Sequence, residues 1–201
     1  MHRGIGILIV LLLNHAALSS QIVATTGYAN SRRPDAPEGG SVDSYFDAGG
    51  GYAVGVRVDV DRELFWFGPS FLFWNNLTGD PHHNYNSNYF QIELGGRLSA
   101  RTRTIPSLYG GIGLGYTVAH GEVVPKFEEF GGELDFDGEF PTASIHVGAR
   151  TPSKTHGIAI LAEASYHVGL DTPTGDRAIG PAQAWLIQIG VGFDTRFSPE
   201  R

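Results

Sequence analysis

The sequence contains no cysteine. Disulfide cross-links and thiolate chemistry are therefore excluded, and so is a lipid anchor on an N-terminal cysteine. Lysine is nearly absent: Lys126 and Lys154 are the only two among 201 residues. Acidic residues outnumber basic ones by 21 to 14. That balance does not suit a phosphate backbone, so nucleic acid is excluded as a partner. After residue 20 there is no long hydrophobic run, and no transmembrane helix is expected. Mean hydropathy is −0.10. A soluble domain has such a value, but so does a barrel in which every second residue faces lipid.

The first 20 residues form a separate unit. Arg3 gives a positive start, residues 5–13 are apolar, and Ala17 and Ser19 suit the positions three and one before a cleavage point. This reads as a secretory signal peptide over 1–20, leaving 21–201 as one domain.

What that domain does have is alternation. From Trp185 to Phe197, Trp185, Ile187, Ile189, Val191, Phe193, Thr195 and Phe197 share one face of an extended strand. Leu186, Gln188, Gly190, Gly192, Asp194 and Arg196 share the other. A period of two is the signature of a strand between two different environments. The pattern recurs over 22–29, 51–60, 64–74, 89–101, 107–118, 140–150 and 157–168, giving eight strands. In 51–60, Tyr52, Val54, Val56 and Val58 oppose Ala53, Gly55, Arg57 and Asp59. In 64–74 a tight turn sends Phe65, Phe67, Phe71 and Phe73 outward, and Pro69 predicts a bulge. Strands of 10–13 residues can cross a bilayer at a tilt. The connections alternate long (30–45, 75–88, 119–139, 169–184) and short (61–63, 102–106, 151–156), and an even strand number puts both termini on the short-turn side.

A soluble barrel with an apolar interior is the rival architecture, and its charged face would simply be its surface. Glycine decides between them. Gly55, Gly95, Gly111, Gly113, Gly115, Gly148, Gly190 and Gly192 all lie on the charged face, with Arg57, Asp59, Glu93, Arg97, Arg150, Glu163, Asp194 and Arg196. Glycine weakens a strand, and solvent gives no reason to choose it. The interior of an eight-stranded barrel is only wide enough for side chains to fill it, and long ionised side chains there need small neighbours. The charges therefore point into a narrow lumen and the apolar face points to lipid. Tyr52, Tyr116, Tyr166, Trp185 and Phe197 lie near strand ends on the apolar face, where interfacial rings belong. The expected fold is all-β: an eight-stranded antiparallel up-and-down transmembrane barrel.

With its leader, eight alternating segments, loop asymmetry and aromatic-ended last strand, the chain resembles the small eight-stranded outer-membrane β-barrels of the OmpA/OmpX type. The resemblance implies a bacterial outer-membrane location, surrounding outer-membrane lipid, and insertion by the barrel-assembly machinery, which in that family reads a terminal aromatic. Phe197 matches that aromatic, although Ser198, Pro199, Glu200 and Arg201 follow it.

Three functions are compatible. The favoured one is a non-enzymatic structural or surface-interaction barrel that holds its loops outside. The first alternative is a small passive pore. With four Arg and four carboxylates facing inward, pairing into a plug is favoured over a channel. The second alternative is a lipid A-modifying hydrolase, suggested by Ser144, His146 and Glu163, with Glu163 placed nearly opposite Ser144. All three face the lumen, away from lipid, so no catalytic residues are assigned. No cofactor or metal site is expected: the acidic stretch 119–139 lacks a calcium-loop spacing. Gly131-Gly132 instead marks a hairpin there, whose sheet edge could meet an extracellular partner.

Overall fold

The computed structural model describes residues 19–32, 48–62, 65–79, 81–99, 106–127, 132–151, 157–170 and 183–195. They form eight strands: β1 (Ser19–Arg32), β2 (Ala48–Arg62), β3 (Phe65–Gly79), β4 (His83–Ser99), β5 (Ser107–Pro125), β6 (Leu134–Arg150), β7 (Ile158–Gly169) and β8 (Gln183–Asp194). Each pairs antiparallel with the next, and β1 pairs with β8 to close the barrel. The expected fold is the one observed. The expected leader lies outside the described residues except for Ser19 and Ser20, which open β1 and pair with Asp61 and Val60. Thr195 N–H donates to the Ser20 carbonyl at 2.9 Å, tying the last described residue to the first strand.

The alternation settles which way each side chain points. Leu98, Leu108, Ile112, Ile145, Ile160 and Ile187 face outward and are more than half exposed. Trp66, Arg97, Glu93, Ser144, Glu163 and Leu186 face inward and are buried. Aromatic rings edge the outer apolar band at the loop end: Tyr28 pairs with Tyr52, Phe73 with Phe90, and Tyr166 with Trp185. Centroid distances of 4.5 to 5.6 Å join Tyr52 to Phe73, Phe73 to Phe90 and Tyr166 to Trp185. At the turn end Phe65, Phe67 and Phe193 take the same place. On β5 the band runs from Leu108 to Val118. Ten steps of about 3.4 Å at a tilt of about 45° give a height of about 24 Å, against ~25 Å for the apolar band of outer-membrane barrels.

Two sequence expectations need correction. Pro69 makes no bulge: β3 keeps one register with β2 on both sides of it, from Val56↔Phe71 to Val60↔Phe67. The ladder is interrupted there because Pro69 has no N–H to give, yet Pro69 still lies opposite Leu94 on β4. Nor is 75–88 a loop. Strands β3 and β4 run on to pair Gly79 with Asn84, and only residues 80–82 connect them. Likewise β5 and β6 continue to Val123↔Leu134. The hairpin expected over 119–139 is present, and β3 to β6 together rise above the aromatic rim as an extension of the barrel wall.

That extension was hard to read because its polarity is inverted. Below the rim the wall is apolar outside and polar inside. Above it, Asn84, His120, Asp135, Asp137 and Glu139 face out, while Tyr85, Val123, Phe136 and Phe140 are buried inside. Asn75 donates across strands to Asn86 at 2.9 Å, so polar residues with poor strand propensity still extend the ladder.

Candidate functional site

The candidate site is the lumen, which is filled in layers. At the turn end Trp66 packs edge-on against Tyr109 at 5.2 Å, and the Arg150 guanidinium lies over the Trp66 ring at 5.5 Å. Above this sits a charge network. Glu163 on β7 is its hub: one carboxylate oxygen accepts from Arg57 at 2.6 Å, from Tyr109 at 2.8 Å and from Arg97 at 3.3 Å. Arg57 also donates to Asp59 at 3.0 Å. Glu93 accepts from Gln91 at 3.1 Å and from Ser144, and lies 3.0 Å from His146. All of these groups are buried. Burying so many charges is tolerable only because each is held by an ion pair or by hydrogen bonds.

The next layer adds hydroxyls and an imidazole to the network. Ser165 and His167 are 2.9 Å apart, and Thr117 and Thr142 hydroxyls meet at 2.6 Å. The loop end is closed by aromatic packing. Trp74 stacks on Tyr89 at 5.1 Å, lies 5.7 Å from His167, and donates its indole N–H to Ser31 at 3.1 Å. Phe140, Phe136, Tyr85 and Val123 continue this apolar cluster upward.

Space between the layers is small. The cavity beside Arg57, Glu93, His146 and Glu163 measures about 20 Å³, room for one water molecule. The glycines show how tightly the wall closes. A Cβ on Gly111 would stand 2.6 Å from Arg97, one on Gly192 2.6 Å from Gln21, and one on Gly113 would collide with the Glu93 carboxylate.

Of the expected lumen set, Arg57, Asp59, Glu93, Arg97 and Glu163 come together. Arg150 sits apart on Trp66, and Asp194 is half-buried at the turn end, where its N–H donates to the Gly157 carbonyl at 2.7 Å. Arg196 lies outside the described residues. Of the expected interface aromatics, Tyr52, Tyr116, Tyr166 and Trp185 lie on the outer face at the loop-end rim, and Phe197 is outside the described residues. The sequence reading missed Tyr109, His167 and Gln91 as members of the network. Inward parity was the signal that could have found them.

Ser144, His146 and Glu163 do converge, by a different register from the one expected. Ser144 lies opposite His167, and Glu163 opposite Gly148. Ser144 Oγ is 2.8 Å from His146 Nε2, and His146 Nδ1 is 3.3 Å from Glu163. The serine hydroxyl, however, donates to Glu93.

Outside the wall, the raised hairpin carries the acidic face. Asp137 holds His120 at 2.8 Å and Tyr116 donates to Glu139 at 2.9 Å. The hydrogen bond to Asp137 raises the His120 pKa above its ordinary value. A hydrogen bond with Glu122 raises that of Glu133. Glu128 and Glu129 lie outside the described residues.

No family model and no curated protein sequence matches the chain. Solved structures do. Neisserial surface protein A superposes with a TM-score of 0.62 at 12% identity, covering 87% of this chain and 96% of that one. Ail, the attachment invasion locus protein of Yersinia pestis, superposes with a TM-score of 0.51 at 17% identity, covering 87% of this chain and 99% of that one. At such identities the likeness is one of fold. It agrees with the small-barrel architecture that the sequence resembles.

Proposed function

We propose that this chain is a non-enzymatic integral protein of the bacterial outer membrane that holds a rigid surface structure outside the lipid. One observation carries this reading. A continuous apolar band, edged by aromatic rings, encloses a lumen in which charges are packed and paired. In water such a band is far larger than the apolar patches that soluble monomers expose. In lipid it is the required outer surface, because a closed barrel leaves no strand edge exposed to hydrocarbon. The barrel stands as a peg. Its raised β3–β6 wall presents the acidic face of His120, Asp135, Asp137 and Glu139 to an extracellular partner. Two proteins of like fold are named as a surface protein and an attachment invasion protein, which fits this role.

Heat-modifiable migration tests the reading. The unheated protein from the outer-membrane fraction is expected to run as a compact band in detergent gels and to shift on boiling. Recovery as a soluble periplasmic protein overturns it.

A further inference from the structure

Lumen crowding explains the inward glycines, but Gly96 and Gly110 face outward. They are neighbours across β4 and β5, Gly96 lying opposite Ile112 and Gly110 opposite Leu98. A Cβ on Gly110 would have nothing nearer than 3.9 Å, so packing does not require glycine there. Glycine within a strand is destabilising relative to alanine. Together the two make the floor of a groove of about 730 Å³ in the outer wall. Phe65 and Phe67, stacked at 5.8 Å, form one bank, and Ile112 and Leu114 the other. The Phe65 ring leans over Gly96, 3.1 Å from where its Cβ would be.

We propose that this groove seats one acyl chain of a membrane lipid, in the leaflet on the short-turn side. The inference rests on the membrane reading above. The groove has no polar rim and is continuous with the apolar band, so its occupant is apolar along its whole length. From Leu94 to Leu98 it runs about 13 Å along the strand, less than half of the ~30 Å hydrocarbon thickness, and so stays within one leaflet. A second copy fits less well. A stable protein interface takes about 800 Å² from each partner, far more than one slot in a convex wall supplies. Between two apolar phases the gain comes from van der Waals contact, and the bare backbone at Gly110, beside the Phe65 ring that covers Gly96, lets a methylene chain approach closely.

The test uses the full chain, deuterated but protonated at Ile, Leu and Val methyls, in nanodiscs of protonated dimyristoylphosphatidylcholine. Cross-relaxation from acyl methylenes to Leu98, Ile112 and Leu114 is expected to build up several-fold faster than to Ile187 and Ile189 on the far wall. Gly110→Leu, which fills the groove from an open position, is expected to abolish the difference. Ala24→Leu, adding the same bulk on β1, is expected to preserve it. Equal build-up at all outward methyls overturns the groove proposal and leaves the membrane reading standing. Contacts between differently labelled copies at these methyls overturn it in favour of self-association. Absence of acyl contacts at every outward methyl overturns both.

Discussion

Glu163→Gln tests the sealed lumen most directly. The substitution keeps the side chain's size and removes only its charge. In the native barrel Glu163 receives Arg57 at 2.6 Å, Tyr109 at 2.8 Å and Arg97 at 3.3 Å, so its carboxylate links β7 to β2, β5 and β4. Arg57 retains Asp59, but Arg97 loses its buried acidic partner; the two residues are 5% and 2% exposed. Removing one partner of a buried ion pair destabilises by about 3–5 kcal/mol, because the remaining charge stays desolvated. That is two to three and a half orders of magnitude in the folding equilibrium, at about 1.4 kcal/mol per decade. The assay is guanidinium unfolding in detergent micelles, followed by the shift between folded and unfolded gel bands and by circular dichroism. Because the pair is shielded from ions, the loss should be nearly equal at about 0.1 M and 1 M salt. Replacing Arg97 and Glu163 together by Met and Leu, which leaves Arg57 with Asp59, should recover part of it. A Glu163→Gln barrel within about 1 kcal/mol of wild type would refute the reasoning, since only a hydrated lumen could tolerate the change so cheaply.

Three further outcomes are expected. Gly113→Ala, whose new methyl meets the Glu93 carboxylate and Ser144 Oγ, should destabilise by about 1–3 kcal/mol, whereas Gly110→Ala on the open outer wall should be neutral or stabilising; the same unfolding assay separates them. The refolded protein should give no steady conductance in planar bilayers, because its central cavity of about 20 Å³ passes no hydrated ion; a sustained current that survives repurification contradicts the plug. His120, whose folded pKa is raised by Asp137, should contribute stability that is fully present below the unfolded pKa of about 6.5 and is lost as pH rises through the folded value. Histidine ring chemical shifts should show the Asp137→Asn variant titrating at lower pH than wild type, and an unchanged midpoint excludes the ion pair.

The parts of this fold that were legible in the sequence are those where one environment acts over a whole strand. Within the apolar band Ile187, Ile189 and Val191 meet one solvent and Gln188, Gly190 and Gly192 another, so parity alone orients every residue. The Phe65–Phe73 face of β3 could be placed outward for the same reason. Above the rim the rule inverts: outside is polar and inside apolar. Residues 83–88 then carry Asn on one face and Tyr85 and Ser87 on the other, which reads as a loop to any search for apolar-out strands. Within the lumen the sequence located the charges but could not pair them. Glu163 finds Arg57 across the barrel, five strands away in sequence order, and no local pattern encodes a diagonal contact through a closed wall. The Ser144 register failed for a related reason. A connection such as 151–157 permits several registers, and a slip of two residues at each strand end keeps every side chain on its correct face.

The convergence of Ser144, His146 and Glu163 shows why geometry within a lumen must be weighed against its surroundings. The distances of 2.8 and 3.3 Å suit a hydrolase triad. A working triad needs a serine proton that passes to the histidine, an acid free to steady the resulting imidazolium, and space for a carbonyl carbon near the serine. Here the serine proton goes to Glu93, and Glu163 is held by two guanidiniums and a phenol. The adjacent cavity holds no more than a water molecule. Packing is sufficient to account for the convergence. An eight-stranded lumen lined by ionisable residues must bring each within hydrogen-bonding reach of several others, because isolated buried charges are too costly to keep. Relieving one interaction therefore strains its neighbours, and the triad-like contact belongs to the same plug that holds the wall rigid beneath the raised sheet.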